Sequence, residues 1–295
     1  MKYKIGTRGS DLALWQANFV QEELKAYGVD TEIEIIQTQG DRISELSFDK
    51  MEGKGFFTKE IEHALLENRI DIAVHSHKDL ETKEHEELVI SAVSSRANPS
   101  EILIINQSAW DKNAVWELRP GSTIGTSSAR RKSQILSLRP DLNLENLRGN
   151  VPTRIQKLRD GFYDAIVLAY AGVSRLNLDL SSFQTVLLDP EEFVPAPAQG
   201  VLAIQTRKED YPLNRILEKL NNKEVQKQIH IERSILKNMD GGCQLPLGVY
   251  NDGEYIHVSF SEKEYEPSRY FRFRNNEDQN MIELIGRQLK TSSSV

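Results

Sequence analysis

The chain has 295 residues, of which 39% are hydrophobic and 27% are charged, as in ordinary globular proteins. Its formal net charge of -7 argues against nonspecific binding to nucleic acid, which requires a basic surface. No apolar run approaches the ~18 residues that a membrane-spanning helix needs, and the first residues contain no apolar signal segment. The single cysteine cannot form an intrachain disulfide. We therefore expect a cytoplasmic protein without nucleic-acid or membrane partners.

The N-terminal region alternates strands with helices. The predicted elements are, in chain order, a strand at 2–5, a helix at about 11–26, a strand at 31–38, a helix at 58–68 and a strand at 70–74. Ser10 is a suitable N-cap for the first helix, and Gly28 is of the residue type that ends helices. Strands that alternate with helices predict a mostly parallel sheet with helices packed on it.

A second region repeats this pattern weakly. Ile124-Gly125-Thr126-Ser127-Ser128 is similar to Ile5-Gly6-Thr7-Arg8-Gly9-Ser10, and each segment precedes a predicted helix. A helix at 152–160 then leads into an apolar strand at 165–169, as in the first region. We therefore predict two related α/β lobes. Chance similarity between two strand–turn–helix units is the alternative.

The pattern changes from about residue 213. The predicted elements there are helices at 213–221 and 223–238, strands at 256–260 and 270–274, and a helix at 280–289. These elements indicate a separate small α+β domain. The predicted domains are a first lobe of residues 1–95 with 200–212, a second lobe of residues 100–193, and a C-terminal domain of residues 213–295. The predicted fold class is therefore α/β, with two lobes and a small α+β C-terminal domain.

Arginines cluster where the two similar turns open helices. Helix N-termini attract anions through free backbone N–H groups and the helix dipole. Arg8, Arg130 and Arg131 oppose that dipole at a cost of about 0.3–1 kcal/mol each, which an anionic ligand between them would explain. Arg148 and Arg175 follow predicted strands, at the edge where α/β sheets bind ligands. Arginine suits carboxylates, so the pattern predicts a carboxylate-binding site. Solvated arginines and serines that only cap helices are the alternative.

Titratable residues follow the predicted strand at 70–74, in the run His75-Ser76-His77-Lys78-Asp79. If the strand continued, His75, His77 and Asp79 would share a face and could bind a metal. Lys78 is a poor neighbour for a metal cation, so we expect no metal here. Asp79 is instead a candidate catalytic carboxylate at a strand end. A loop salt bridge between Asp79 and Lys78 is the alternative.

Cys243 lies in the glycine-rich loop Asp240-Gly241-Gly242-Cys243-Gln244. The neighbouring glycines favour an accessible thiol, which is a strong nucleophile as the thiolate. A small buried hydrophobic residue is the alternative role for a lone cysteine. A cysteine hydrolase that pairs Cys243 with His230 or His75 would be another reading, although no spacing favours either histidine.

Six segments follow one another in the order found in a known family. They are Thr7-Arg8-Gly9-Ser10 with Leu12-Ala13-Leu14-Trp15-Gln16, Gly53-Lys54-Gly55-Phe56-Phe57, Ala73-Val74-His75-Ser76-x-Lys78-Asp79, Gly125-Thr126-Ser127-Ser128-x-Arg130-Arg131, Leu147-Arg148-Gly149-Asn150-Val151-x-Thr153-Arg154, and Gly241-Gly242-Cys243-Gln244-x-Pro246. On these segments the chain resembles the porphobilinogen deaminase (hydroxymethylbilane synthase) family from near residue 4 to beyond residue 250.

The resemblance implies two lobes like those of type II periplasmic binding proteins, followed by a small C-terminal domain. It implies a transferase of haem and other tetrapyrrole biosynthesis, which condenses four porphobilinogen molecules head to tail into hydroxymethylbilane and releases ammonia. It also implies a dipyrromethane cofactor bound through a thioether to Cys243, and a monomer whose only partner is its small-molecule substrate. The alternative is a noncatalytic two-lobed protein that binds anions.

The resemblance also implies a role for each matching residue. Asp79 would be the catalytic carboxylate. Cofactor binding would involve Cys243, Lys78, Ser76, Thr126, Ser127, Ser128, Arg130, Arg131, Arg148 and Gly149. Substrate binding would involve Arg8, Ser10, Phe57, Arg148, Arg154, Arg175 and Gln199, while Lys50 and Lys54 would belong to a mobile loop. We hypothesise that Asp79 is ionised, orients pyrrole N–H groups and stabilises the positive charge left when ammonia departs.

Overall fold

The computed structural model describes residues 2–38, 58–242, 244–276 and 279–291. Within these ranges the strands are β1 (Tyr3–Thr7), β2 (Thr31–Ile35), β3 (Ile72–Ser76), β4 (Leu88–Val93), β5 (Glu101–Asn106), β6 (Thr123–Gly125), β7 (Asn143–Glu145), β8 (Ala165–Ala169), β9 (Phe183–Leu188), β10 (Leu202–Arg207), β11 (Leu247–Asn251), β12 (Tyr255–Phe260) and β13 (Arg269–Arg274). The helices are α1 (Asp11–Ala26), α2 (Lys59–Leu66), α3 (Ala129–Leu138), α4 (Val151–Arg159), α5 (Tyr170–Leu176), α6 (Tyr211–Leu217), α7 (Lys223–Asn238) and α8 (Gln279–Thr291).

The first sheet has the strand order β2-β1-β3-β10-β4. Strand β1 is parallel to β2 and β3, whereas β10 runs antiparallel to both β3 and β4. Apolar residues at helical spacing on α1, such as Val20 and Leu24, pack on Ile5 and Ile72 of the sheet. Helix α2 covers another part of it through Ile61 and other apolar residues. We call this sheet with α1 and α2 the first lobe.

The second sheet repeats this arrangement, with the order β7-β6-β8-β5-β9. Strand β6 is parallel to β7 and β8, and β5 is antiparallel to β8 and β9. The repeat extends to the register, because Gly6 is opposite Ala73 in the first sheet and Gly125 is opposite Ile166 in the second. We call this sheet with α3, α4 and α5 the second lobe. The prediction of two related α/β lobes is confirmed.

The third sheet is an antiparallel meander of β11, β12 and β13. Its apolar face packs on α7 and α8 through residues such as Ile235 and Ile285. The turn between β11 and β12 uses Gly253, whose φ of 104° is in the range that favours glycine. The predicted small α+β C-terminal region is confirmed.

In the first lobe the observed structure differs from the predictions in several places. The strand predicted at 70–74 lies at Ile72–Ser76, because Ile72 is opposite Ile5 in the parallel ladder. The chain then turns through a short 3₁₀ helix at His77–Asp79, so the strand does not continue as far as Asp79. The first sheet is evenly mixed rather than mostly parallel, because β10 is inserted antiparallel between β3 and β4.

The chain divides into two compact units, residues 1–97 with 200–227 and residues 98–199 with 228–295. The second lobe and the third sheet thus belong to one unit. Leu213 and Leu217 of α6 pack in the core of the first lobe, whereas the sequence placed residue 213 at the start of the C-terminal domain. The three-domain division with its stated boundaries stays a prediction.

Among the described residues, none of the helices combines the length and the apolar character that crossing a membrane would require.

Candidate functional site

In the first lobe, the parallel strands β1 and β3 end at the same edge of the sheet. The turn after β1 is held by a hydrogen bond at each of its two ends. Buried Thr7 donates its hydroxyl to the carbonyl of Ala13 (3.1 Å), and Ser10 accepts from the backbone N–H of the same residue (3.4 Å) as the N-cap of α1. Half-buried Arg8 lies between these two anchors. The predicted cap at Ser10 is therefore present, and it holds Arg8 at the edge of the sheet.

The turn after β3 brings the other candidates of the first lobe to this edge. Buried Gln16 of α1 donates to the Ser76 hydroxyl (2.7 Å), which connects the two turns directly. The 3₁₀ helix that follows is fixed by a backbone hydrogen bond from His77 to the carbonyl of Val201 (3.0 Å). Lys78 is half-buried and Asp79 is exposed. The structure thus presents the Asp79 carboxylate at the end of a fixed strand.

His75 is buried in the first lobe and has a hydrogen-bond partner there. It is buried in β3, and its Nε2 lies 3.1 Å from Oε1 of Gln205, whose amide nitrogen donates to Glu62 (2.9 Å). Burial lowers the pKa of His75 to about 4, although the hydrogen bond with Gln205 opposes the shift. Neutral and enclosed, His75 is a member of the core rather than a metal ligand or an exposed base. Within the described residues, the one cluster with metal-ligand geometry is Glu191, Asp252 and His257.

In the second lobe, the serine-rich turn after β6 is held by the neighbouring strand end. The backbone N–H of buried Thr126 donates to the carbonyl of Glu145 (2.8 Å), and the Ser127 hydroxyl donates to the carbonyl of Leu147 (3.0 Å). Ser128 is the N-cap of α3, although its bond from the N–H of Arg131 is long (3.5 Å). Exposed Ser127 and half-buried Ser128 therefore lie at the N-terminus of α3, where the helix dipole favours an anion.

Arg130 and Arg131 are buried, and both contact Glu101 at the start of β5. Arg131 donates from Nε (3.1 Å) and Nη2 (2.7 Å) to the two carboxylate oxygens, in the bidentate geometry that suits this pair. Arg130 donates to the same carboxylate and to the carbonyl of Val194 (2.8 Å). Burial lowers the pKa of Arg130, and the Glu101 charge opposes that shift. One carboxylate faces two guanidinium groups, so the cluster keeps a positive charge.

Glu101 was not among the candidate residues predicted from the sequence. The one indication in the sequence is that Glu101 directly precedes the apolar run Ile102–Ile105. If that run is a buried strand, a carboxylate next to it must be paired with a cation. With this partner, the arginines in the first turn of α3 are compensated within the protein. A ligand anion is therefore not needed to explain their presence.

The loop that carries Arg148 and Gly149 is fastened from α4. Arg154 donates Nε to the carbonyl of Gly149 (2.7 Å), and Lys157 donates to the carbonyl of Arg148 (3.2 Å). Gly149 has a φ of 117°, and a Cβ there would come within 2.9 Å of Thr153, so only glycine fits. Asn150 caps α4 by accepting from the N–H of Thr153 (2.9 Å). Half-buried Arg148 is thus held at the edge where β7 ends, and Arg154 supports that loop.

Two further candidates of this unit differ in exposure. Arg175 in α5 is half-buried, and burial lowers its pKa to about 10. Gln199 is fully buried and donates its amide to the carbonyl of Pro99 (2.7 Å), so it ties two crossing segments of the chain. The predicted roles of Cys243, Phe57, Lys50 and Lys54 fall on positions outside the described residues.

Each lobe thus offers a different chemistry at the edge where its parallel strands end. The first lobe provides a carboxylate on Asp79 with cations on Lys78 and Arg8. The second provides serine hydroxyls, two helix N-termini and guanidinium groups. This second set suits a ligand with several carboxylates, because each hydroxyl, N–H and guanidinium can donate to a carboxylate oxygen.

Comparison with known families gives two adjoining matches. Residues 3–215 match the model described as porphobilinogen deaminase, dipyromethane cofactor binding domain. Residues 226–289 match the model described as porphobilinogen deaminase, C-terminal domain. The matches together span most of the chain.

Curated relatives carry the same name. The chain is 42% identical to a porphobilinogen deaminase of Maridesulfovibrio salexigens over 88% of this chain and 83% of that protein. It is 40% identical to one of Brevibacillus brevis over 93% of this chain and 88% of that protein. Among solved structures it is similar to the methionine binding protein MetQ, with 16% identity and a TM-score of 0.45 over 77% of this chain and 92% of that one.

Proposed function

The chain belongs to the porphobilinogen deaminase family, and from this premise we propose that it condenses four porphobilinogen molecules head to tail into hydroxymethylbilane with release of ammonia. It is then a transferase of tetrapyrrole biosynthesis. The observation that carries this proposal is the pair of family matches over residues 3–215 and 226–289. A noncatalytic anion-binding protein is not favoured, since the curated relatives are named as deaminases.

We propose dipyrromethane as the cofactor, attached through Cys243. The residues of the second lobe fit such a group, because each of its pyrroles brings two carboxylates and the lobe presents many donors for them. Those donors are the Ser128 hydroxyl, Arg148 and the N-termini of α3 and α4, supported by the net positive cluster of Arg130, Arg131 and Glu101. The Ser127 hydroxyl instead donates to the carbonyl of Leu147 and fixes the turn. When bound, dipyrromethane supplies the pyrrole carbon from which the product chain is extended.

We propose that Asp79 is the catalytic carboxylate. It is exposed in the short 3₁₀ helix that follows β3, and this turn is fixed by the bonds of Ser76 and His77. As an anion, Asp79 would accept hydrogen bonds from pyrrole N–H groups and hold the substrate ring in place. The same charge would stabilise the positive charge that develops on the substrate as ammonia leaves. Arg8, Ser10 and Lys78 at the same edge would bind the acetate and propionate groups.

We further propose that the protein acts as a monomer in the cytoplasm, without nucleic-acid or membrane partners, and that it has the three predicted domains. Light scattering of the purified protein at micromolar concentration, with and without porphobilinogen, should give the mass of one chain. A stable dimer would contradict the monomer.

Intact mass spectrometry tests the cofactor and the function together. The protein isolated from cells that make porphobilinogen should be heavier than its sequence by two pyrrole units. Cys243→Ser should have the mass of the bare sequence and should not turn over porphobilinogen. A parent protein that is active but carries no adduct would contradict the thioether attachment. A parent that carries no adduct and releases no ammonia would contradict the deaminase function itself.

A further inference from the structure

Lys132 of α3 is buried, with 2% of its side chain exposed, and the candidate site does not use it. Its ammonium group has three partners. It donates to Oδ1 of Asn146 (2.8 Å), to the Tyr265 hydroxyl (2.9 Å) and to the carboxylate of Glu264. Burial disfavours the charged form, but the hydrogen bonds with Glu264 and Tyr265 outweigh it and raise the pKa of Lys132. All three donors of the ammonium are thus occupied.

The same helix face makes further bonds with the segment at 261–268, which joins β12 to β13. The backbone N–H of Ser268 donates to the carbonyl of Ser133 (3.0 Å), and the two serine hydroxyls lie 2.9 Å apart. The Ser137 hydroxyl donates to the carbonyl of Ser268 (2.9 Å). Two turns of α3 are therefore attached to this segment, which we call the clamp segment.

The clamp segment is fixed in turn to the region of Cys243. The backbone N–H of Ser261 donates to the carbonyl of Pro246 (3.0 Å), three positions beyond the cysteine in the sequence. The Ser261 hydroxyl also lies within donating distance of the carbonyls of Lys263 (2.9 Å) and Glu266 (3.0 Å), which closes the segment into a compact loop. A short path of hydrogen bonds thus leads from α3 to the chain next to Cys243.

The other partner of Lys132 belongs to the carboxylate-binding edge. Asn146 lies two positions before Arg148, and its carbonyl accepts a hydrogen bond from the hydroxyl of Tyr163 (2.7 Å). Lys132 also directly follows Arg130 and Arg131 on α3. The ammonium group of Lys132 therefore connects α3, the helix capped by Ser128, with the loop of Arg148 and with the clamp segment.

We propose that Lys132 is a positioning residue that holds the carboxylate-binding groups of the second lobe in register with the chain at Pro246, three positions beyond the proposed attachment point of the cofactor. The inference rests on the proposed function. A cofactor that is covalently attached at one residue and ion-paired through its carboxylates at others needs the attachment point and the carboxylate-binding residues at a constant separation. Displacements of about 1 Å in such arrangements cost on the order of 10²-fold in rate. Lys132 and Glu264 hold that register across the second lobe and the third sheet.

The test compares Lys132→Met with Lys132→Arg and with a matched control, Lys263→Met. Lys263 lies on the clamp segment too, but its side chain is 76% exposed and pairs only at the surface with Glu266. With the cofactor adduct verified by intact mass, Lys132→Met should lower kcat about tenfold and leave KM within about twofold, because the cofactor and not substrate binding is displaced. Lys132→Arg should recover most of kcat, and Lys263→Met should match the parent.

A folded Lys132→Met protein with its adduct and a kcat within about twofold of the parent would contradict the proposal. So would an equal loss in Lys263→Met. If Lys132→Met does not fold, Glu264→Gln decides, because the Glu264 side chain is 41% exposed and the glutamine amide oxygen can still accept a hydrogen bond from the Lys132 ammonium. We expect kcat to fall about threefold there, and an unchanged kcat contradicts the proposal. An inactive parent would instead contradict the proposed function.

Discussion

The first and second lobes share one sheet order and one register, yet they differ where the antiparallel strand meets the third parallel strand. In the first lobe, Leu202 of β10 is opposite Ser76. In the second, Glu101 of β5 is opposite Ala169. The apolar residue completes a core, whereas the carboxylate organises two buried arginines. The residue at this one position of a common scaffold is therefore part of an apolar core in the first lobe and the partner of two buried arginines in the second.

The turns that follow these strands differ as well. After β3 the chain makes a three-residue 3₁₀ turn that ends at Asp79. After β8 it enters α5 at once, and the first charge on that helix is Arg175. The strands and their pairing are alike, so the difference in chemistry resides in the turns. The pair of lobes shows that the sheet supplies positions, while the residues after these strands supply a carboxylate in the first lobe and a guanidinium group in the second.

Glu101→Leu gives the second lobe the residue type that the first lobe has in this place. The change leaves Arg130 and Arg131 buried without their carboxylate, and loss of a buried partner costs about 3–5 kcal/mol. We expect a fall of that size in the free energy of unfolding measured with denaturant. Glu101→Gln should lose less, because its amide oxygen still accepts a hydrogen bond. Glu145→Gln, at an exposed position, is the control. If the free energy of unfolding of Glu101→Leu lies within about 1 kcal/mol of that of the control, the cluster has no structural role.

Asp79→Asn removes the charge that distinguishes the turn of the first lobe. The amide keeps the shape but cannot stabilise positive charge, and loss of such a contact costs about 10²–10³-fold in kcat. Steady-state kinetics with porphobilinogen should show that loss with the adduct on Cys243 intact. Asp30→Asn, at an exposed position of the same lobe, should match the parent. Near-full turnover by Asp79→Asn would end the assignment of Asp79 as the catalytic carboxylate.

Acid should destabilise the first lobe more than the second. The position equivalent to His75 of β3 is Leu168 of β8. The pKa of His75 is lowered from 6.5 to about 4. Between these pH values the unfolded chain binds a proton on His75 that the folded lobe does not bind. The contribution of neutral His75 to the free energy of unfolding is therefore complete above pH 6.5 and is lost as the pH falls towards 4. The loss amounts to roughly 3 kcal/mol.

Hydrogen exchange measures this difference lobe by lobe. Protection of the amides in β1 and β3 should fall from pH 7 to pH 4.5 by more than that of β6 and β8, after correction for intrinsic exchange rates. His75→Gln, which can still bond to Gln205, should remove most of the excess, whereas exposed His85→Gln should not. Equal losses of protection in both lobes would show that His75 does not determine acid stability.

Local patterns in the sequence predicted much of the framework. Helix α1 begins at Asp11 after the predicted Ser10 cap and ends at Ala26, as its spacing and Gly28 indicated. The turn motifs predicted the repeated lobes, which the two sheets confirm. These features depend on neighbours within a few residues, so they can be read from the chain directly. The serine and arginine motifs likewise indicated which turns carry polar groups.

Contacts between distant residues were not predictable in this way. Strand β5 was not assigned, because Ile102–Ile105 is buried on both faces and has no period to distinguish it. The contact of Glu101 with Arg131 spans 30 residues, and that of Lys132 with Glu264 spans 132. Such pairs arise from the packing of elements, which a single sequence does not reveal. The roles that the sequence suggested for Arg130, Arg131 and Gln199 stay predictions beside their structural contacts.

The most direct test of the proposed function is the stoichiometry of ammonia release by the purified, cofactor-loaded protein. With porphobilinogen as the only substrate, we predict about four ammonia molecules for each linear tetrapyrrole formed, and none from Cys243→Ser. Tight binding of porphobilinogen by the folded parent protein without any release of ammonia would contradict the account and would identify a binding protein instead.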